Sequence, residues 1–282
     1  MKAFRRATPL LLALLVPAAL AACASSRQAE APELARAAGW HWRIMPAGAF
    51  DLAVASSERS GGDTLTAYLE GDGLAYAWRG EPALDPTPTD PVALRLALAD
   101  PGKMPVAWIG RPCQYTLPDH ARNCRSAEWT LRRHAPEILD SVSAALDALK
   151  RQSGARRLVL IGYSGGGAVA VLLAARRRDV ALIVTVAADL DLGYWTRREH
   201  LSPLTGSLDP ADVAGAVKAI PQFHFTGADD DIVGTDVARA YLARLPADAP
   251  ARLVEVPGFT HACCWARDWP SLMSEISTAA SP

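Results

Sequence analysis

Net charge is what this sequence most plainly lacks: 29 lysines and arginines stand against 30 aspartates and glutamates in 282 residues, leaving a formal charge of -1. Without a basic field nothing holds a polyanion, which excludes nucleic acid as a partner. The local basic clusters, Arg176–Arg178 and Arg197 with Arg198, read as solvated charges at a helix end and in an exposed loop. A long hydrophobic run is also missing. The N-terminal stretch from Leu10 to Leu20 is broken by Pro17 and is too short for a membrane-spanning helix. Internal repeats are absent. Histidine and cysteine are scarce, at six and five residues, and they do not group as metal ligands. His261 with Cys263 or Cys264 would still lack the further ligands of a closed site, so no metal and no organic cofactor is implied. Hydrophobic residues, by contrast, make up 50% of the chain, enough for one large core in one main domain.

The N-terminus combines Lys2, Arg5 and Arg6 with the short apolar run and then Leu20-Ala21-Ala22-Cys23, the pattern of a signal peptide over residues 1–22. The Leu-Ala-Ala-Cys ending resembles the bacterial lipobox. That resemblance implies a lipidated Cys23 as first mature residue, and a protein anchored in the cell envelope. Ala24 stands where an aspartate would resemble an inner-membrane retention signal, so a Gram-negative source would place it on the outer membrane facing the periplasm. Residues 23–38, with their Ala, Ser, Gln and Glu, read as a lipidated tether, and residues 39–282 as the domain.

Short antiparallel strands are expected between Trp40 and Val54. TLTAYLE, Thr64 to Glu70, alternates like a strand and runs into Gly71-Asp72-Gly73. A helix follows with Asp90 as its cap and Pro91 in its first turn, then a strand after Pro105. Pro136 to Lys150 places Ile138, Leu139, Val142, Leu146 and Leu149 on one helical face, with Gly154 as the stop. Further strands are expected at Leu158 to Ile161, Val180 to Val186, Phe223 to Thr226 and Leu253 to Val256, with a helix from Val237 to Leu245. Strands alternating with helices imply a mostly parallel sheet covered on both faces. Between 187 and 220 the pattern breaks, and that stretch reads as a small cap over the site.

The most informative stretch is Gly162-Tyr163-Ser164-Gly165-Gly166, between an apolar strand and a run of apolar helix formers. A strand that turns sharply into a helix strains its central residue and brings its neighbours too close for a Cβ, which glycine permits. This G-x-S-x-G elbow would expose the Ser164 hydroxyl beside the Gly165 amide.

GYSGGG after one strand, EGDG after an earlier one, GADDDIV after a later one and a histidine near the C-terminus together resemble the α/β-hydrolase superfamily, within it most of all bacterial lipoprotein hydrolases of unassigned substrate. The resemblance implies chain order Ser, acid, His, and His261 alone follows both the serine and the acid candidates. Asp229, Asp230 and Asp231 all qualify chemically as the acid. The family spacing G-x-x-D-x-x-V, fitted to Gly227, Asp230 and Val233, selects Asp230. The oxyanion donors implied are the amides of Gly165 and Asp72, although EGDG departs from the family's usual His-Gly. The expected activity is a serine hydrolase on a small-molecule ester or related acyl substrate. A peptidase or thioesterase on the same apparatus, or an envelope binding protein without turnover, are the rival readings.

Export to an oxidising compartment would allow disulfides. Cys113 with Cys124 closes a compact loop and is the expected pair. Adjacent Cys263 and Cys264 have Cα atoms about 3.8 Å apart across a trans peptide, below the usual disulfide range, so that pairing is disfavoured.

Overall fold

The structure, a computed structural model, describes residues 27–116 and 118–279. The lipobox, Cys23 and the signal peptide therefore lie outside the described residues. The first described element is a surprise in the stretch expected as tether. Residues 27–37 form a helix, α1, whose Ala31 and Ala35 are fully buried. Gln28 donates from Nε2 to Asp85 at 3.1 Å and to Thr87 at 3.0 Å, and Glu30 pairs with Arg95. The tether reading fails there because Ala is a strong helix former and here spaces small residues on one face, a pattern easily taken for low-complexity linker.

Two strands, β1 (His41–Ala47) and β2 (Phe50–Ser56), pair antiparallel as expected around the turn at Gly48. After β3 (Thr64–Leu69) comes a small ribbon of β4 (Tyr76–Trp78) and β5 (Glu81–Pro82), then α2 (Val92–Leu98) and β6 (Val106–Ile109). The remainder runs α3 (Pro136–Ser153), β7 (Arg157–Tyr163), α4 (Gly165–Ala174), β8 (Val180–Val186), α5 (Leu192–Arg198), β9 (Gln222–Gly227), α6 (Thr235–Leu242), β10 (Ala251–Val256) and α7 (Trp265–Ala279). Eight strands form one sheet in the order β1-β2-β6-β3-β7-β8-β9-β10, antiparallel at β1, β2 and β6 and parallel from β6 onward.

Strand alternation divides the core into two layers. Leu52 and Val54 of β2, Leu65 and Leu69 of β3 and Leu158 and Leu160 of β7 face α3 and α4 on one side. Ala53, Tyr68 and Ile161 from the same strands face α1, α2 and α7 on the other. Along α3 the expected stripe Ile138, Leu139, Val142, Leu146 and Leu149 is buried, and Gly154 ends the helix at φ 74°.

Asp90 does not cap α2. Its carboxylate goes to Arg95 Nε at 2.5 Å, and the helix's first amides are met from another strand end. Glu70, just past β3, accepts from the amides of Ala93 (3.3 Å) and Leu94 (3.4 Å), from its neighbour Gly71 (3.1 Å) and from the Trp108 indole (2.9 Å). Arg177 is not a solvated surface charge either. It is largely buried, between Asp147, Asp179 and Ser143.

Candidate active site

Ser164 is the single residue between β7 and α4, at φ 50° and ψ -128°. That conformation is costly for a residue with a side chain and persists only where its surroundings over-determine it. They do so here. The Ser164 amide donates to the Val186 carbonyl at 2.9 Å, and its carbonyl accepts from the Gly167 amide at 2.8 Å. A Cβ at Gly162 would overlap the Gly166 carbonyl, and one at Gly166 would overlap the carbonyl of Leu69 on β3. Both elbow glycines are thus demanded by backbone approach. Gly165, in turn, is the first residue of α4, so its amide has no carbonyl to meet within the helix.

His261 lies in the loop between β10 and α7, 14% exposed at its side chain, with Nε2 3.1 Å from Ser164 Oγ and Nδ1 2.9 Å from Asp230 Oδ2. Its backbone is fixed from two sides, since its carbonyl accepts from the Trp265 indole at 2.9 Å and from the Tyr163 hydroxyl at 3.2 Å. Asp230 uses its other oxygen to accept from the amides of Ile232 (2.9 Å) and Val233 (2.8 Å). Its carboxylate is therefore held by two amides while it meets the imidazole. Asp229 and Asp231 are exposed on either side of it. The structure brings together the three residues that family order and spacing select.

Asp72 sits in the turn after β3, where Gly71 packs against Tyr163 and Ser164. Its carboxylate meets two buried guanidinium groups, Arg111 Nη1 at 3.0 Å and Arg133 Nη1 at 2.7 Å. Burial alone would raise this carboxyl, but the Arg133 and Arg111 charges outweigh it and hold it well below the usual range. Asp189 completes the cluster. Burial, with Asp72 beside it, pushes its carboxyl up to about 8. Burial drives the neighbouring His134 down to about 3, with both arginines adding to the effect, so it is neutral at working pH. Asp72, His134 and Asp189 bring ligand-type atoms within 4.8 Å of one another. A cation does not fit there, because both Asp72 oxygens already face guanidinium groups whose charge would repel it.

A cavity of about 300 Å³ opens over Ser164 and His261. Its lining includes the apolar Leu74, Val92, Trp195 and Val233 and the ionisable cluster of Asp72, Arg133 and Asp189. No protein-family model matches this chain, and no curated protein matches it. Solved structures do. An α/β serine hydrolase without lid from Xanthomonas campestris is 16% identical with a TM-score of 0.55, over 85% of this chain and 93% of that one. An esterase from Pyrococcus furiosus is 12% identical with a TM-score of 0.59, over 86% and 92%. A membrane phospholipase A, a bacterial virulence factor, is 15% identical with a TM-score of 0.58, over 97% and 99%. The fold is that of the α/β-hydrolases. As in open α/β sheets generally, the cavity lies at the carboxyl ends of the central strands.

Against the α/β-hydrolase pattern, the 187–220 segment supplies α5 and a 3-10 turn at Pro210–Ala216, and it contributes Asp189 and Trp195 to the cavity. Trp195 is fixed by its indole donating to the Ile232 carbonyl at 2.8 Å. The Cys113–Cys124 disulfide is present, with Cα atoms 5.7 Å apart. Cys263 and Cys264 depart from expectation. They are joined to each other across a cis peptide, which brings their Cα atoms to 3.1 Å. Arg111, Gln114, Arg133 and Trp265 were not singled out from the sequence. Arg111 and Gln114 carried the available signal, as polar residues directly beyond the carboxyl end of a buried strand.

Proposed function

We propose that this chain is a serine hydrolase acting on an ester or related acyl bond of a small molecule. The observation that carries the reading is the continuous hydrogen-bonded line from Ser164 Oγ through the His261 imidazole to Asp230, at 3.1 Å and 2.9 Å, with the serine lifted on a strained elbow. In this reading Ser164 Oγ attacks the acyl carbon as His261 Nε2 takes its proton. Asp230 keeps the imidazole in the tautomer that leaves Nε2 free to accept, and stabilises the imidazolium that forms. The oxyanion of the tetrahedral intermediate faces the amides of Gly165 and Asp72. Collapse passes the His261 proton to the leaving group and leaves an acyl-serine. Water, activated by the same histidine, then releases the acid. The mostly apolar cavity suits an acyl chain of modest size, and the structural neighbours named as serine hydrolase, esterase and phospholipase are in keeping with ester chemistry.

A fluorophosphonate probe and a panel of p-nitrophenyl esters of graded chain length test the proposal. Labelling should fall on Ser164, and Ser164→Ala should abolish it while lowering kcat by on the order of 10⁶-fold with the fold intact. Ester turnover retained in that variant would sink the assignment. A wild-type protein that neither labels nor turns over any ester would favour a binding protein of the same fold.

A further inference from the structure

The turn that carries Asp72 is backbone of a kind that ought to rotate. Asp72 stands between Gly71 and Gly73, and Gly73 adopts φ 69°. Rotation of the Gly71–Asp72 peptide would swing the Asp72 amide away from the point above Ser164, yet a planar trans peptide also offers a handle. Its carbonyl oxygen and its N–H point in opposite directions, so whatever grips the Gly71 oxygen aims the Asp72 N–H. Gln114 grips it. This fully buried side chain donates from Nε2 to the Gly71 carbonyl at 2.9 Å, while its Oε1 accepts from the Arg111 amide at 3.0 Å, an arrangement that fixes which end of the side-chain amide faces the turn. The residue preceding Gln114 is Cys113, tied to Cys124, so the gripping segment is itself tethered.

A second hold acts on the same residue from its side chain. Arg111 and Arg133 take one Asp72 oxygen each, at 3.0 Å and 2.7 Å. Neither arginine is loose. Arg133 donates from Nε to the Thr130 carbonyl at 2.7 Å, and Arg111 Nη2 donates to the Arg133 carbonyl. The carboxylate so held packs directly over Gly165, where an added Cβ would overlap it.

We propose that Gln114, Arg111 and Arg133 are positioning residues that hold the Asp72 peptide with its N–H aimed at the oxyanion, Gln114 through the Gly71 carbonyl and the arginines through the Asp72 carboxylate. The inference rests on the serine-hydrolase reading and adds the side chains that build its second oxyanion donor. Arg133 also lines the cavity, but none of the three bonds to Ser164, His261 or Asp230, and the role assigned to each is exerted through the turn.

The test uses the full chain and two variants, Gln114→Met, which keeps volume and removes the bond, and Arg133→Lys, which keeps the charge but loses the planar fork. Rates are expressed per active site titrated with the fluorophosphonate, so that loss of folded protein does not imitate loss of catalysis. One oxyanion donor is worth about 10²- to 10³-fold in kcat. Gln114→Met should therefore lose roughly 10- to 100-fold in kcat with KM within about twofold, and should bind a trifluoromethyl ketone of matching chain more weakly by the same factor. Arg133→Lys should fall between that variant and the wild type, and the apparent pKa of the histidine limb of the pH profile should not move in either. A purely structural role would lower the melting temperature while leaving kcat per titrated site and ketone affinity unchanged, and that result in both variants would overturn the proposal. Should the wild type fail to label at all, the serine-hydrolase reading falls first and takes this inference with it.

Discussion

At the scale of single residues, the acid is the sharpest choice the sequence offered, because three consecutive aspartates are chemically alike. Spacing to Gly227 and Val233 selected the middle one, and the fold explains why only that position works. The chain turns so that Asp230 is buried with both oxygens occupied, while Asp229 and Asp231 point outward. Replacing Asp230 by Asn should lower kcat by on the order of 10³- to 10⁴-fold, since the amide no longer fixes the productive His261 tautomer. Asp229→Asn and Asp231→Asn should each stay within a few-fold of wild type in the same ester assay. If either exposed position proved the damaging one, the geometry of the imidazole would have been misassigned. Ser164 and His261 were legible for a related reason, as both belong to local patterns with fixed chain order. Arg133 and Gln114 were not, because what they do depends on a turn more than forty residues away in the chain.

At the scale of elements, the central strands and α3 were readable from periodicity, and their ends fell within a few residues of expectation. Three helices escaped, among them α5 inside the stretch read only as a cap. α7 carries Pro270 inside it, which the sequence presents as a breaker, while burial of Trp265 and Trp269 compensates for the lost backbone bond. α1 looked like linker. The cap of α2 escaped as well, because it comes from Glu70 on another element, and this has a measurable consequence. Burial pushes the Glu70 carboxyl from 4.5 up to about 7, against the pull of the amides and indole that donate to it. A carboxyl raised in the folded state keeps its proton more tightly there than in the unfolded chain. Its contribution is fully present below about pH 4.5 and is lost as the pH rises to about 7, by at most about 1.4 kcal/mol per unit. Glu70→Gln cannot titrate and lacks this slope. The stability of wild type minus that of the variant, from urea unfolding at a series of pH values, should therefore shrink steadily across that window. A difference independent of pH would show that the buried carboxyl is not shifted upward.

For the whole molecule, the architecture followed from the alternation of strands and helices, but its lower boundary did not. The domain was expected to begin at residue 39, after a tether; instead α1 belongs to the folded body, tied down through Gln28, Glu30, Ala31 and Ala35. No helix among the described residues is long and apolar enough to cross a membrane; the lipobox resemblance implies attachment through a lipidated Cys23. We propose that attachment, and α1 changes what it would mean. Only residues 24–26 lie between the cysteine and residue 27, the first described residue of α1. At no more than about 3.6 Å per residue, the anchor could lie no farther than about 15 Å from the folded body. A body held that close to a bilayer has its reach set by α1 rather than by a flexible leash. Anchoring still concerns location and not chemistry, because Cys23 takes no part in the line from Ser164 to Asp230. Cys23→Ser should move the protein from the membrane fraction to the soluble fraction with kcat/KM on a soluble short-chain ester unchanged, and mass spectrometry of the wild-type mature N-terminus should show acyl chains on Cys23. One acyl chain holds a protein on a bilayer only marginally, whereas several hold it stably, so the wild type should resist extraction by salt. An unmodified N-terminal Cys23 on protein recovered free of membrane would remove the anchor and leave the proposed hydrolase chemistry as it stands.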